Sequence, residues 1–346
     1  MIVIGLAGVI WVAGWAFSLP MRLRWAAIFA LLGAVILVHL VLPEAHSLRV
    51  GLGGSAVSWA TLSVGAGLIM AYSQVLARLR RRAQPVDAST PLAFRAAELD
   101  RYARHILLRE IGGPGQRRLK DAKVLVIGAG GLGSPVLLYL AASGVGCIGV
   151  IDDDVVENSN LQRQIIHTDQ AIGTPKVQSA TRAIKALNPF VEVRPYDRRL
   201  TPEIAADLFA DYDLILDGTD NFDTRYLVNR VCADLAKPLI SAAITQWEGQ
   251  ISLYDPARGA PCYECIFPTR PEPGMVPTCA EAGVAAPLPG VIGAMMAMEA
   301  VKHITRAGQG LAGRLLIHDA LYNETRMISI KKRADCAACG SHHSPD

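Results

Sequence analysis

Charge is what this sequence has least of. Only 19% of its 346 residues are Asp, Glu, Lys or Arg, below the roughly 25% of an ordinary soluble domain, and mean hydropathy is +0.28. The shortage is concentrated at the start. Residues 2–19 and 25–43 hold no Asp, Glu, Lys or Arg, and neither does the Gly- and Ser-rich stretch 50–77. At 1.5 Å per residue each is long enough to cross about 30 Å of hydrocarbon, so two to three transmembrane helices are expected, the third being the least certain by composition. The first stretch lacks the basic leader of a signal peptide and is followed at once by a second. No acid or base interrupts any stretch midway, and His39 lies toward one end, so these segments read as a tether and not a transport path. A large basic excess is also missing: the net charge of +3 excludes nucleic acid as an expected partner. The few bases that exist flank the apolar runs. Arg22 and Arg24 precede the second run and Arg78, Arg80, Arg81 and Arg82 follow the third, whereas the intervening loop holds Glu44, His46 and one Arg49. The positive-inside rule then places everything after Arg78 in the cytoplasm, on the inner face of the membrane.

Residues 1–82 are thus expected to form an anchor, 83–91 a polar linker with two prolines, and 92–346 one domain with room for a sizeable core. Thr90 before Pro91 reads as a helix N-cap with Pro at the first turn. The helix would carry Leu92, Leu99, Ile106 and Leu107 and stop at Gly112–Gly115. Next comes the stretch that organises the domain: an apolar strand, Val124–Ile127, runs into Gly128, Gly130, Gly131 and Gly133, and an apolar helix follows over Val136–Ala142. Such glycines let the backbone approach a phosphate, which meets the free N–H groups of the helix start. A second apolar run, Ile148–Ile151, ends in Asp152, placed to accept from a ribose hydroxyl. That much is compatible with NAD or ATP. Asn160, Arg163 and Lys176 lie beyond the same strand end; extra cations suit a triphosphate, although solvated surface charge is the ordinary fate of such residues.

Downstream, a helix over Val177–Leu187, a strand over Leu214–Leu216 ending in DGTDN (Asp217–Asn221) and a helix through Leu235 continue the parallel α/β alternation. Strands Pro238–Ala243 and Gly249–Asp255 lack a long intervening helix, so the sheet should turn antiparallel. Pro287–Thr305 is apolar but broken by Pro289 and followed by charge, and reads as a buried core helix. The fold expected is a Rossmann-like, mostly parallel sheet flanked by helices, with an antiparallel extension. Of seven cysteines, Cys262 and Cys265 with Cys336 and Cys339 supply two C-x-x-C pairs, enough for a closed tetrahedral zinc site of structural type; a redox dithiol is the competing reading. His342 and His343 trail the last pair and are expected to be tail residues. Cys147 and Cys232, inside apolar runs, should be core.

Taken together the motifs YARHILL (Tyr102–Leu108), GAGGLGS, DDDVVENSNLQRQ (Asp152–Gln164), GTPK (Gly173–Lys176), LDGTDN, CYEC, TCAEAGV (Thr278–Val284) and CAAC, in that order, resemble the MoeB/ThiF/HesA family, prokaryotic relatives of ubiquitin-activating enzymes. The resemblance implies adenylation, with MgATP, of the C-terminal glycine carboxylate of a ubiquitin-like sulfur carrier ending in Gly-Gly, in the service of molybdopterin, thiamine or related sulfur incorporation. It implies that Asp152 holds the ribose, that the glycine turn lies against adenosine and the α-phosphate, and that Asn160, Arg163 and Lys176 contact phosphates. Asp220 matches the Mg²⁺ carboxylate, on spacing alone also an N-cap candidate. Arg104 matches an arginine inserted into the neighbouring subunit's site, so a homodimer is implied. Cys279 falls in a loop where some members carry a covalent acyl intermediate; a buried, inert thiol is the alternative. The family's usual members lack the anchor, and no rhodanese-like domain is expected after the last cysteine pair, so sulfur would come from a separate sulfurtransferase. Other readings are a tRNA-modifying dehydratase of the same family, a non-catalytic membrane scaffold, and an NAD-dependent oxidoreductase, the last without a recognisable hydride-transfer base.

Overall fold

The computed structural model describes residues 2–17, 19–82, 94–272 and 282–340, and the chain divides into two compact units, Met1–Pro91 and Leu92–Asp346. The expected linker 83–91, Cys279 and the two trailing histidines lie outside the described residues.

The first unit is helical: α1 (Ile2–Ala16), α2 (Met21–Val41), α3 (Ser47–Leu52) and α4 (Ala56–Arg82). Two stretches, Leu23–Val41 in α2 and Ala56–Leu76 in α4, are long and apolar enough to cross a membrane. Helix α1, with 15 residues, reaches only about 22 Å and falls short of that test. Its apolar run continues, but Pro20 restarts the chain as the N-cap of α2, and Arg24 Nε donates to the Leu19 carbonyl at 2.8 Å. Val3, Leu32, Val35 and Trp59 form the buried centre of the unit.

The second unit is built on one eight-stranded sheet of order β3-β2-β1-β4-β5-β6-β7-β8. Its strands are β1 (Lys123–Ile127), β2 (Cys147–Asp152), β3 (Glu192–Asp197), β4 (Leu214–Asp217), β5 (Leu239–Ile244), β6 (Glu248–Tyr254), β7 (Arg314–Asp319) and β8 (Glu324–Ser329). The pairs from β3 to β5 are parallel, and those from β5 to β8 are antiparallel, as the short connection before Gly249 implies. Its helices are α5 (Ala96–Ile106), α6 (Gly112–Asp121), α7 (Gly133–Ser143), α8 (Lys176–Leu187), α9 (Pro202–Ala210), α10 (Phe222–Asp234), α11 (Tyr263–Ile266) and α12 (Leu288–Thr305). Alternation in β1 sends Val124 and Val126 into the core shared with α7, α8 and α12, and Leu125 and Ile127 into the core under α9 and α10. Because both faces are covered, the parallel strands read as continuous apolar runs.

Three expectations about helix boundaries are corrected. Gly112–Gly115 does not end a helix but opens α6, because Gly112 takes φ +57° at the turn and Pro114 falls in a first turn, where no N–H is needed. Pro289 likewise opens α12 and does not break it. The preceding helix, expected from Pro91, begins at Ala96, where Glu98 Oε2 accepts from the Arg95 amide at 2.8 Å, the acidic half of a capping box.

Candidate active site

The strand order reverses between β1 and β4, so β2 and β4 lead away from β1 on opposite sides; the space beyond their carboxyl ends is the usual ligand position in such sheets. The glycine turn closes the end of β1. Gly128 sits at φ +93°, and a Cβ on Gly133 would lie 2.0 Å from the Gly128 carbonyl oxygen, so side chains at these two positions would force the turn apart. The Ala129 peptide between them is clamped from both ends. Its N–H donates to Asp152 Oδ2 at 2.7 Å, and its carbonyl accepts from His167 Nε2 at 2.9 Å. Since a carbonyl only accepts, Nε2 carries the proton, and Nδ1 accepts from the Ser179 hydroxyl at 2.9 Å. Burial holds His167 below its ordinary pKa, which keeps that tautomer neutral. Asp152 Oδ1 accepts from the Asp154 amide at 2.9 Å. Burial pushes the Asp152 carboxyl up, opposed by the Ala129 amide and by Lys176.

Lys176 is the first residue of α8. Its side chain is 6% exposed and its Nζ lies 2.6 Å from Asp154 Oδ2. The segment carrying Asn160 and Arg163 folds back over the glycine turn: Gln164 Nε2 donates to Asn160 Oδ1 at 3.0 Å, and Arg163 Cγ lies 3.8 Å from where a Gly131 Cβ would stand. Arg163 Nη1 donates to the Ser159 carbonyl at 3.1 Å. Gly128, Gly130, Gly131, Gly133, Asp152, Asn160, Arg163 and Lys176 are therefore brought to one place. Asp220 follows β4 on a loop that reaches the same turn, since the Gly218 amide donates to the Ile127 carbonyl at 3.0 Å and Thr219 Cγ2 lies 3.4 Å from a Cβ position on Gly128. Asp220 is exposed and, among the described residues, makes no hydrogen bond or ion pair. It is not the helix cap: Asn221 Oδ1 accepts from the Thr224 amide at 3.1 Å and caps α10. Arg104 is exposed on α5 and likewise makes no such bond among the described residues.

Beneath the Asp220 loop lies a buried ion pair that the sequence reading passed over. Asp217 accepts from the Thr219 amide and hydroxyl at 3.0 and 2.7 Å and from Ser241 Oγ at 3.0 Å. Arg225 donates from Nη2 to the carbonyls of Thr219 and Ala242 at 2.6 and 2.9 Å, and its Nε lies 3.8 Å from Asp217 Oδ2. His167 was missed as well. The available signals were an acid closing an apolar strand at Leu214–Asp217, an arginine inside the helix behind it, and a histidine after Ile165 and Ile166.

Beside α10, where Asn229 Nδ2 lies 3.8 Å from Cys262 Sγ, Cys262, Cys265, Cys336 and Cys339 converge. Their Sγ atoms stand 3.8 Å (Cys262–Cys265), 3.6 Å (Cys262–Cys336) and 3.5 Å (Cys265–Cys339) apart, and all four lie within 4.8 Å of one another. Four thiolates around zinc at about 2.3 Å would stand about 3.8 Å apart, whereas a disulfide needs about 2.05 Å. The donor set therefore fits a tetrahedral metal better than a dithiol. Burial pushes the Cys339 thiol up to about 11; against the rise that burial imposes, the amides of Ala338 and Cys339 bring Cys336 down. Cys147 and Cys232 are buried in the core, as expected.

The ThiF family profile matches residues 102–338. The chain belongs to the ThiF family. Its relatives within that family include the sulfur carrier protein adenylyltransferase of Thermus thermophilus, 48% identical over 247 residues, which are 70% of this chain and 91% of that protein. The SAMP-activating enzyme E1 of Haloferax volcanii is 47% identical over 72% of this chain and 92% of its own length. The adenylyltransferase and sulfurtransferase MOCS3 of Bos taurus is 46% identical, but the match spans only 57% of that longer protein. Among solved structures, PaaA superposes with a TM-score of 0.62 at 24% identity over 76% of this chain and 82% of its own. Escherichia coli MccB with ATP gives 0.59 at 25% identity over 70% of this chain and 74% of its own. These likenesses carry the fold: a ThiF-type α/β sheet with helices on both faces.

Proposed function

We propose that the second unit of this ThiF-family chain is an adenylyltransferase that uses ATP to activate the C-terminal glycine carboxylate of a ubiquitin-like sulfur carrier ending in Gly-Gly, in molybdopterin- or thiamine-type sulfur transfer. The observation that carries the reading is the assembly of the glycine turn, Asp152, Asn160, Arg163 and Lys176 at one strand-order switch, in a chain nearly half identical to a named sulfur carrier adenylyltransferase. The carrier carboxylate attacks the α-phosphorus, the bond to the bridging oxygen breaks, and pyrophosphate leaves. The protein's contribution is to hold the two reactants in line and to offset charge as it shifts toward the departing phosphates. The glycine turn brings main-chain N–H groups against phosphate oxygens, Asp152 orients the ribose, and Arg163 and Lys176 supply a fork and a point charge. Asp220, exposed beside the turn with no hydrogen-bond or ion-pair partner among the described residues, is the group that would hold Mg²⁺, a hard cation suited to carboxylate oxygen and phosphate.

The four thiolates of Cys262, Cys265, Cys336 and Cys339 would hold Zn²⁺ with no open coordination position, tying the end of the chain to the helix after β6. Arg104, exposed on α5, would complete the site of a second copy in a homodimer. Helices α2 and α4 would cross the membrane. Arg22 and Arg24 lie in the first turn of α2, and Arg78, Arg80, Arg81 and Arg82 lie in the last turns of α4, so both basic ends fall on one side whether or not α1 also enters the hydrocarbon, and the second unit faces the cytoplasm. Cys279 remains the candidate for a covalent acyl intermediate.

The test is ATP–pyrophosphate exchange by the full-length protein in detergent with carrier proteins ending in Gly-Gly. Exchange that requires both the carrier and Asp220, lost in Asp220→Ala, establishes adenylation. ATP binding without exchange on any such carrier would redirect the reading to another carboxylate.

A further inference from the structure

Lys176, the first residue of α8, is buried. Its side chain is 6% exposed, and among the described residues its ammonium has one hydrogen-bond partner, Asp154 Oδ2 at 2.6 Å. The same aspartate also fixes the lysine's main chain, because the Lys176 amide donates to the Asp154 carbonyl at 2.9 Å. Around this pair the segment after β2 runs beside the segment before α8. Val155 bridges Pro175 in antiparallel sense, the Val156 amide donates to the Thr174 carbonyl at 2.9 Å, and the Gly173 amide donates to the Val156 carbonyl at 2.8 Å. Asp154 is in turn held by Asp152, whose Oδ1 accepts its amide at 2.9 Å. A continuous chain of bonds thus runs from the Ala129 peptide of the glycine turn, through Asp152, to Asp154 and Lys176.

We propose that Asp154 is a positioning residue that keeps the buried Lys176 ammonium charged and aimed at the β- and γ-phosphates of ATP, linking it to the carboxylate that orients the ribose. The proposal rests on the ATP reading of this site. Taking a lone ammonium out of water favours its neutral form, and an adjoining carboxylate restores the charged one. One N–H of the ammonium is committed to Asp154, which leaves two for phosphate oxygens. The Asp154 side chain is 65% exposed, so it supplies charge from the solvent side without being buried itself. The grouping of Asp152, Asp153 and Asp154 then needs no metal for charge balance at Asp154, because Lys176 already occupies that carboxylate. The other titratable groups facing the ammonium are Asp152, which favours its charge, and His167, which is held neutral by burial.

The experiment compares ATP and AMP binding by calorimetry to the full-length protein in detergent, from about pH 7.5 to about pH 9.5, the window in which a buried lysine without a counter-ion loses its proton. Wild type is expected to bind ATP with nearly constant affinity across the range. In Asp154→Asn, ATP binding should weaken progressively with pH, by about tenfold at the upper end, while AMP, which has no β- or γ-phosphate, binds as in wild type at every pH. Asp154→Ser should repeat this pattern and Asp154→Glu should restore the flat profile. In Asp154→Asn with Lys176→Arg the pH dependence should vanish, since a guanidinium does not deprotonate here. An ATP profile in Asp154→Asn and Asp154→Ser superposable on wild type overturns the positioning role while leaving the ATP site intact. Equal weakening of ATP and AMP would reduce Asp154 to a structural part of the loop and also overturn it. Wild type that binds AMP and ATP equally at all pH values would overturn the phosphate reading of Lys176 itself.

Discussion

Asp217 closes β4 and Asp220 stands three residues further on, in the loop that follows, and their surroundings are opposite. Asp220 is exposed and unengaged among the described residues, so Asp220→Ala should leave stability within about 0.5 kcal/mol of wild type, while carrier-dependent exchange drops on the order of 100-fold or more. Thermal unfolding and exchange rates measured on the same preparation check both halves. Asp217 is fully buried, and its charge is met by Arg225, Ser241 and the Thr219 amide and hydroxyl. Arg225→Met should therefore cost about 3 kcal/mol or more, because it strands a buried carboxylate; urea unfolding reports the loss, and Arg225→Met combined with Asp217→Asn should recover part of it. His167 makes stability depend on pH with a definite sign. Its folded pKa lies below the unfolded value of about 6.5, so below that pH the unfolded chain binds more protons and stability falls as pH falls. The urea midpoint should drop between about pH 7 and pH 5, and part of that slope should disappear in His167→Asn. The residues proposed to touch a ligand were legible because short motifs carry them; Asp217, Arg225 and His167 were not, because their roles depend on burial between segments far apart in sequence.

The glycine turn, β2 with Asp152 and the helix from Lys176 could be read from the chain because each couples an apolar run to a chemical reason for its end. Other elements left no such trace. Strand β3 lies at the sheet edge with mixed exposure, and every residue of β8 is exposed, so neither shows the alternation that marks a half-buried strand. The proline-containing starts of α6 and α12 look like stops until the helix that follows is seen. The cysteine quartet lies between these cases. Its pairs were plain in the sequence, whereas the 3.5–3.6 Å spacing across them belongs to the fold, which brings Cys336 and Cys339 back beside α11. Purified protein should contain one zinc per chain by elemental analysis. Cys336→Ser should lose the metal and destabilise the second unit by several kcal/mol, on the order expected for a structural site, and a strong chelator should lower the melting temperature of wild type in the same direction.

Two compact units imply two separable properties. Full-length protein should stay in the membrane fraction through alkaline carbonate extraction, and removal of residues 1–82 should shift the product to the soluble fraction; recovery of the full-length chain in the soluble fraction would overturn the anchor. What the sequence by itself determined was the two-part plan and which residues gather at the candidate site, because long uncharged runs and glycine–acid–cation motifs are local properties that no tertiary context has to supply. Tertiary structure alone decided that α1 closes at Ala16, that the four thiols form a cluster, that Asp217 and Arg225 bear the Asp220 loop, and that Lys176 rests on Asp154. Each of these depends on which groups become buried together, and burial is settled by the packing of distant segments, not by any one of them.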